Sequence, residues 1–186
     1  MTTYTKEELT KAADRVFHNI SQLFGYYAWV GKIAPTLASK DEGAQGHLYF
    51  VLAQNAVVDG YLINLRRLNE FFSKRPDKSK DEEDDDLRAY HFGFPEIGRF
   101  LDPQDMKELH KRIAHSTNRT ALVGDVSYEA KQAAELALKH AFQFLEHILR
   151  TFYTDGSPES NSMKDACIVL IGLWSSWCKE AEQEKA

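Results

Sequence analysis

The sequence predicts an all-α protein, a bundle of four to five main helices forming a single domain over residues 1–186, and three observations carry that reading. Apolar residues recur at three- and four-residue spacing through long stretches, which is how a helix with one buried face reads. No stretch alternates apolar and polar as a half-buried strand would, and neither an internal repeat nor a glycine-rich phosphate loop occurs. Helix-favouring Ala, Leu, Lys, Glu and Gln are plentiful against only 5 prolines and 10 glycines. With 43% hydrophobic and 12% aromatic residues in 186, there is enough apolar surface for one sizeable core.

The first helix opens at Thr5-Lys-Glu-Glu8, a capping box in which the threonine and the glutamate three residues on satisfy each other's backbone N–H groups. It is expected to run to about Ile33, with Ala13, Val16, Phe17, Ile20, Leu23, Phe24 and Tyr27 inward. Pro35 and residues 39–46 break the pattern. A long second helix, about 47 to 73, places Leu48, Val51, Leu52, Val58, Leu62, Leu65, Leu68 and Phe72 towards the core. Residues 74–86 follow as an acidic loop holding Pro76 and the run 81–86, which lacks the ligand spacing of a calcium loop and reads as solvated chain. Short helical pieces are expected at 87–90 and 96–100.

Asp102-Pro103 starts the next helix, with proline in the first turn where its missing N–H costs nothing. Gly124 ends that region, and Ser127 caps a helix reaching about Tyr153 along Ala130, Ala134, Ala137, Ala141, Phe144 and Ile148. Asp155-Gly-Ser-Pro158 is a turn. The last helix, about 159 to 182, buries Cys167, Leu170, Ile171 and Trp174. The helices at 127–153 and 159–182 carry apolar residues on more than one face, among them Phe142, Leu145, Leu149, Phe152 and Trp177. A lone protomer rarely exposes that much apolar surface, so a symmetric homodimer is expected.

The formal net charge is −5, so the surface as a whole does not steer towards nucleic acid or an anionic membrane. Any RNA or DNA contact needs a local basic patch, and residues 107–119 are the candidate. The N-terminus has no apolar signal core, and the most apolar run, 166–173, is too short to span a bilayer, so a cytoplasmic location without membrane contact is expected. Cys167 and Cys178 lie eleven residues apart in one helical segment, roughly 16 Å along the axis and beyond disulfide reach, so both thiols are expected reduced.

The chemistry concentrates in Glu108-Leu-His-Lys-Arg-Ile-Ala-His115-Ser-Thr-Asn-Arg119. At about 100° per residue, Lys111, His115 and Arg119 share one stripe, opposite Met106, Leu109 and Ile113. Like charge around His115 disfavours its protonated form, leaving a neutral imidazole able to take a proton. Arg119 would steady developing charge, while Lys111 and Arg112 grip phosphate. Those are the parts of metal-independent RNA cleavage. The plainer reading is a solvated polar face on which Glu108 pairs with Lys111 and Arg112, and His110 belongs with the apolar side. On the second helix, among Asn64 and Arg67, the residues Asp59, Arg66 and Glu70 share a face. They form either an intrahelical ion network or a support that orients His115 and Arg119. His140 and His147, two turns apart, could meet His18 or His47 at a metal. No Glu-x-x-His or His-Glu-x-x-His pair occurs, so neither a metal nor another cofactor is expected, and a metal-binding bundle ranks behind the other readings.

Three segments carry a family resemblance: Arg66-Arg-Leu-Asn-Glu-Phe-Phe72, Asp85-Asp86-Leu-Arg-Ala-Tyr-His-Phe92 and Leu109-His-Lys-Arg-Ile-Ala-His-Ser-Thr117. Across residues 56–119 they look like a widespread group of bacterial helical proteins with no assigned activity. More distantly, the Ala114-His115 helix end is similar to HEPN domains, helical bundles that often dimerise and act as RNases in toxin–antitoxin and phage-defence systems. The HEPN signature is an arginine, then four to six intervening residues, then the histidine, and here the places for the arginine hold Glu108, Leu109 and His110. The resemblance implies a homodimer of bacterial stress or defence type that binds RNA or a nucleotide, cleaves RNA without metal through His115, and meets an antitoxin-type protein partner. The alternative from a different class is a non-enzymatic helical interaction module.

Overall fold

Thr5 caps the first helix in the way its neighbours in sequence require. Its Oγ1 accepts from Glu8 N–H at 3.2 Å, and the Glu8 carboxylate accepts from Thr5 N–H at 2.7 Å. The computed structural model describes residues 4–30, 43–73, 87–107 and 128–183. Within them helix α1 spans Lys6–Ala28 and buries Leu9, Ala13, Val16, Ile20, Leu23, Phe24 and Tyr27. The α-helical run ends at Ala28 and continues as π-helix at residues 29–30, with Trp29 N–H shared between the Gly25 and Tyr26 carbonyls. Residues 31–33 of the expected helix lie outside the described residues.

Helix α2 spans Gly43–Phe72, starting four residues before the expected position. Gly43 and Gly46, read from sequence as breakers, fall in its first turn, where a glycine costs least. Leu52 is a correction: it is 55% exposed. It sits about 140° around the helix from Leu65, so it faces away from the stripe formed by Tyr61, Leu62, Leu65 and Leu68.

Beyond α2, residues Ala89–Phe92 form a 3-10 turn closed by Gly93, whose φ of +72° suits glycine. The helical piece expected at 96–100 does not form. Ile97 N–H instead donates to Phe72 O at 3.1 Å, an isolated parallel bridge with Ser73, because the last carbonyls of α2 need donors. Residues 103–107 are helical, started by Asp102 Oδ1 accepting from Asp105 N–H at 2.7 Å. Helix α3 spans Tyr128–Thr151 and helix α4 spans Pro158–Gln183, with proline at its first position and Ser157 Oγ accepting from Ser160 N–H at 3.2 Å.

Helices α1 and α3 each pack against every other main helix, so the core is a four-helix contact rather than two pairs. Ala133, Ala134, Ala137 and Ala141 line α3 and let its neighbours approach closely. On one side of α3, Phe144 meets Phe71, Phe92 and Phe94 edge-on at centroid distances of 5.2, 5.2 and 5.4 Å. On another side of the same helix, Phe142 stacks on Trp174 at 5.1 Å. Phe142 and Leu145 are therefore buried inside the bundle, and Leu149, Phe152 and Trp177 pack partly buried against it. This corrects their expected role on a free surface, since three helices cover α3. Among the described residues of the second half of the chain, the large exposed apolar side chains are Leu136 on α3 and Ile168, Val169 and Leu173 on α4. Among the described residues no helix is long and apolar enough to cross a membrane, and both cysteines are free thiols.

Candidate anion-binding cleft

The C-terminal end of α2 organises the region. Helix ends leave carbonyls without partners, and here Glu70 O and Phe72 O find theirs in a later segment while Asn69 O is taken by Ser73. The Arg88 guanidinium, only 7% exposed as a residue, donates to Glu70 O, which puts a fixed positive charge at the negative end of the helix dipole. Ser73 N–H and Oγ both donate to Asn69 O, and Ile97 takes Phe72 O. The Asn69 side chain, 2% exposed, binds in the other direction. Its Oδ1 accepts from Phe100 N–H at 2.8 Å and Leu101 N–H at 3.1 Å, and its Nδ2 donates to Met106 Sδ at 3.4 Å. Arg88 N–H in turn donates to His91 Nδ1 at 3.0 Å, which puts a neutral His91's own proton on Nε2. The His91 ring meets Tyr4 edge-on at 4.9 Å.

Against this end of α2, helix α1 presents Glu8, Lys11, Arg15 and Asn19, a stripe at three- and four-residue spacing. The two helices and the start of the 87–92 segment enclose an open cleft of about 550 Å³ with an apolar floor that includes Val16, Phe71 and Leu87. Four cations line it: Lys11, Arg15, Arg67 and Arg88. Two carboxylates line it as well, and both are already engaged. Glu8 holds the Thr5 cap, whose N–H bond keeps its carboxyl below the usual range, and Glu70 Oε1 accepts from Arg66 Nε at 3.0 Å. Lys11 Nζ reaches Glu7 at 2.8 Å, a hydrogen bond that raises the lysine and lowers the glutamate. Arg67 Nη1 donates to Asn19 Oδ1 at 3.5 Å, joining the walls of the cleft. The local balance is positive in a chain of net charge −5. Planar guanidinium groups from opposite walls are the donors that phosphate oxygens accept.

The structure brings together two of the three segments that carried the resemblance. Arg66–Phe72 and the segment around Arg88 meet through the Arg88–Glu70 bond and through Phe71 and Phe92, 5.9 Å apart. His115, Arg119, Lys111, Arg112 and His110 lie outside the described residues. Arg66 and Glu70 pair on α2, while Asp59 is exposed two turns earlier, about 10.5 Å along the axis from Arg66. Two of the histidines considered for a metal, His140 and His147, have other partners, and the side chain of His47 lies outside the described residues. His147 Nε2 lies 2.8 Å from Phe92 O, and His140 Nδ1 lies 3.0 Å from Gln143 Oε1 with its ring stacked on Phe100. Among the described residues no three His, Cys, Asp or Glu side chains converge as a metal site would. Lys11, Arg15 and Arg88 escaped the sequence reading. The α1 stripe was visible as spacing, but its meeting with Arg67 depends on how α1 packs on α2.

A second open cleft, about 920 Å³, lies between the start of α1 and the turn before α4. There Tyr153 Oη donates to Asp14 Oδ1 at 3.1 Å, and Asp155 accepts from Ser157 N–H and Oγ, both at 3.1 Å. Its four carboxylates, Glu7, Asp14, Asp155 and Glu159, outnumber Lys6 and Lys11 and make it a poor receptor for phosphate. Compared with known proteins, the chain matches no family model, no curated protein and no solved structure.

Proposed function

We propose that this is a HEPN-like helical protein of bacterial stress or defence type that binds RNA or a nucleotide through its phosphates. The observation that carries the reading is the α1–α2 cleft, where Lys11, Arg15, Arg67 and Arg88 converge while the neighbouring carboxylates are held by Thr5 and Arg66. A protein of net charge −5 keeps such a concentration of cations where an anion is to be bound. In this proposal His115 removes the 2′-hydroxyl proton of bound RNA and Arg119 steadies the charge that develops on phosphate. Lys111 and Arg112 extend the grip along the backbone, and no metal takes part.

The test is fluorescence anisotropy with a labelled single-stranded RNA, competed with an unlabelled mononucleotide. Arg15 and Arg67 are exposed, so Arg15→Ala and Arg67→Ala should leave the melting temperature unchanged. Each should weaken binding by about tenfold or more, since a charge-assisted hydrogen bond contributes about 1.5–3 kcal/mol. Binding that ignores both substitutions overturns the cleft as the site. His115→Ala should lower RNA cleavage by on the order of a hundredfold while sparing binding, the loss expected for a general base. A second reading, a non-enzymatic interaction module, is favoured by the exposed apolar face of α4. It prevails if no RNA or nucleotide binds while the protein associates through that face.

A further inference from the structure

Helix α4 buries one side, through Cys167, Leu170 and the partly buried Ile171, Trp174 and Trp177, and turns the opposite side to solvent. That outer side is not polar. Ile168, Val169 and Leu173 are 60%, 62% and 54% exposed, and they flank Gly172, around which a side chain would meet nothing within 4 Å. Branched residues beside a glycine make a shallow apolar groove of the kind a second helix fills. Asp165 and Lys179, both exposed, lie seven residues before and seven residues after Gly172, so two turns in either direction return to its face.

We propose that this face binds a second copy of the chain, with the two α4 helices antiparallel about a two-fold axis at Gly172. The charges choose both the partner and the direction. An antiparallel pair centred on Gly172 sets Asp165 of each protomer beside Lys179 of the other, twice over, whereas a parallel pair sets like charge beside like charge. With α4 spanning Pro158–Gln183, the antiparallel helices overlap from 161 to 183, about 34 Å of shared length. Nothing in this arrangement draws on the α1–α2 cleft, so association and anion binding fail or succeed separately.

Light scattering coupled to size exclusion across the micromolar range is expected to give a dimeric mass for the full chain. Val169→Glu and Leu173→Glu should each give a folded monomer whose melting temperature no longer rises with protein concentration, because both side chains are exposed in the single chain and are covered only by association. Asp165→Lys and Lys179→Asp should each weaken association by tenfold or more. Mixing the two charge variants should restore a dimer, since each Lys–Lys or Asp–Asp clash becomes an Asp–Lys pair. A chain that stays monomeric across that range leaves the face to some other occupant and overturns the proposal. So does a dimer indifferent to Val169→Glu and Leu173→Glu, and a mixture of charge variants that fails to associate overturns the antiparallel pairing.

Discussion

A single carboxamide, that of Asn69, ties α2 to the chain that follows the 3-10 turn. Replacing it by alanine leaves the N–H groups of Phe100 and Leu101 without an acceptor beside a packed core. Each buried unsatisfied donor costs about 1–3 kcal/mol, so Asn69→Ala should lose about 2–4 kcal/mol in urea unfolding. Asn69→Asp, which keeps the acceptor, should lose less. Equal losses for the two would show that the carbonyl oxygen is not what matters. Cys167 supplies a second residue-level prediction. Burial, and secondarily the charge of Asp14, push its thiol up to about 12, and it is fully buried, whereas Cys178 is partly exposed. In the folded protein at pH 8, a thiol reagent should modify Cys178 and leave Cys167 intact until denaturant is added. Early modification of Cys167 would mean that this end of α4 opens. The burial of Cys167 was legible in the helical spacing of the last segment, whereas the role of Asn69 was not. Asn69 stood inside a recognisable segment, but its partners are main-chain N–H groups of a loop, and no side-chain spacing announces those. His140 and His147 show the opposite limit. Their two-turn spacing was plain, yet where each ring turns is decided by Gln143, Phe100 and the Phe92 carbonyl, which only packing supplies.

At the scale of elements, the helices whose ends carry local signals were the readable ones. Thr5 with Glu8 opens α1 and the 155–158 turn opens α4, because a cap is a bond between residues two or three apart. The segment 96–100 was misread as helix because its donors serve the end of α2, a contact that short-range pattern cannot reveal. The same caps set a pH dependence. Thr5 N–H lowers the Glu8 carboxyl and Ser157 N–H lowers that of Asp155, so both groups have folded pKa values below their unfolded ones. A depressed carboxyl contributes stability that is present above its unfolded pKa and is lost as pH falls through the folded value. Melting temperature should therefore be level near neutrality and fall below about pH 4, the ordinary carboxylate range. Glu8→Gln and Asp155→Asn should make that fall shallower. A decline with the same slope in both variants would assign acid sensitivity to other groups.

For the whole molecule, the fold class followed from composition and periodicity, since four amphipathic helices with alanine-rich contacts have few ways to hide their apolar stripes. What composition concealed was the distribution of charge. A chain of net charge −5 gives no hint that α1 and α2 set four cations around one cleft, because Lys11 and Arg15 lie far in sequence from Arg67 and Arg88. The basic segment 107–119 looked like the patch, and the described residues add a second one that the segments 66–72 and 87–92 help to build. The central claim is that this cleft binds phosphates, and the salt dependence of RNA affinity tests it most directly. Each phosphate contact on a single strand contributes about −0.7 to the slope of log K against log salt. The double variant Arg15→Ala with Arg67→Ala should therefore bind RNA more weakly at low salt and with a slope shallower by about 1.4. Parallel lines for the native protein and the double variant, whatever their absolute affinity, would contradict the account.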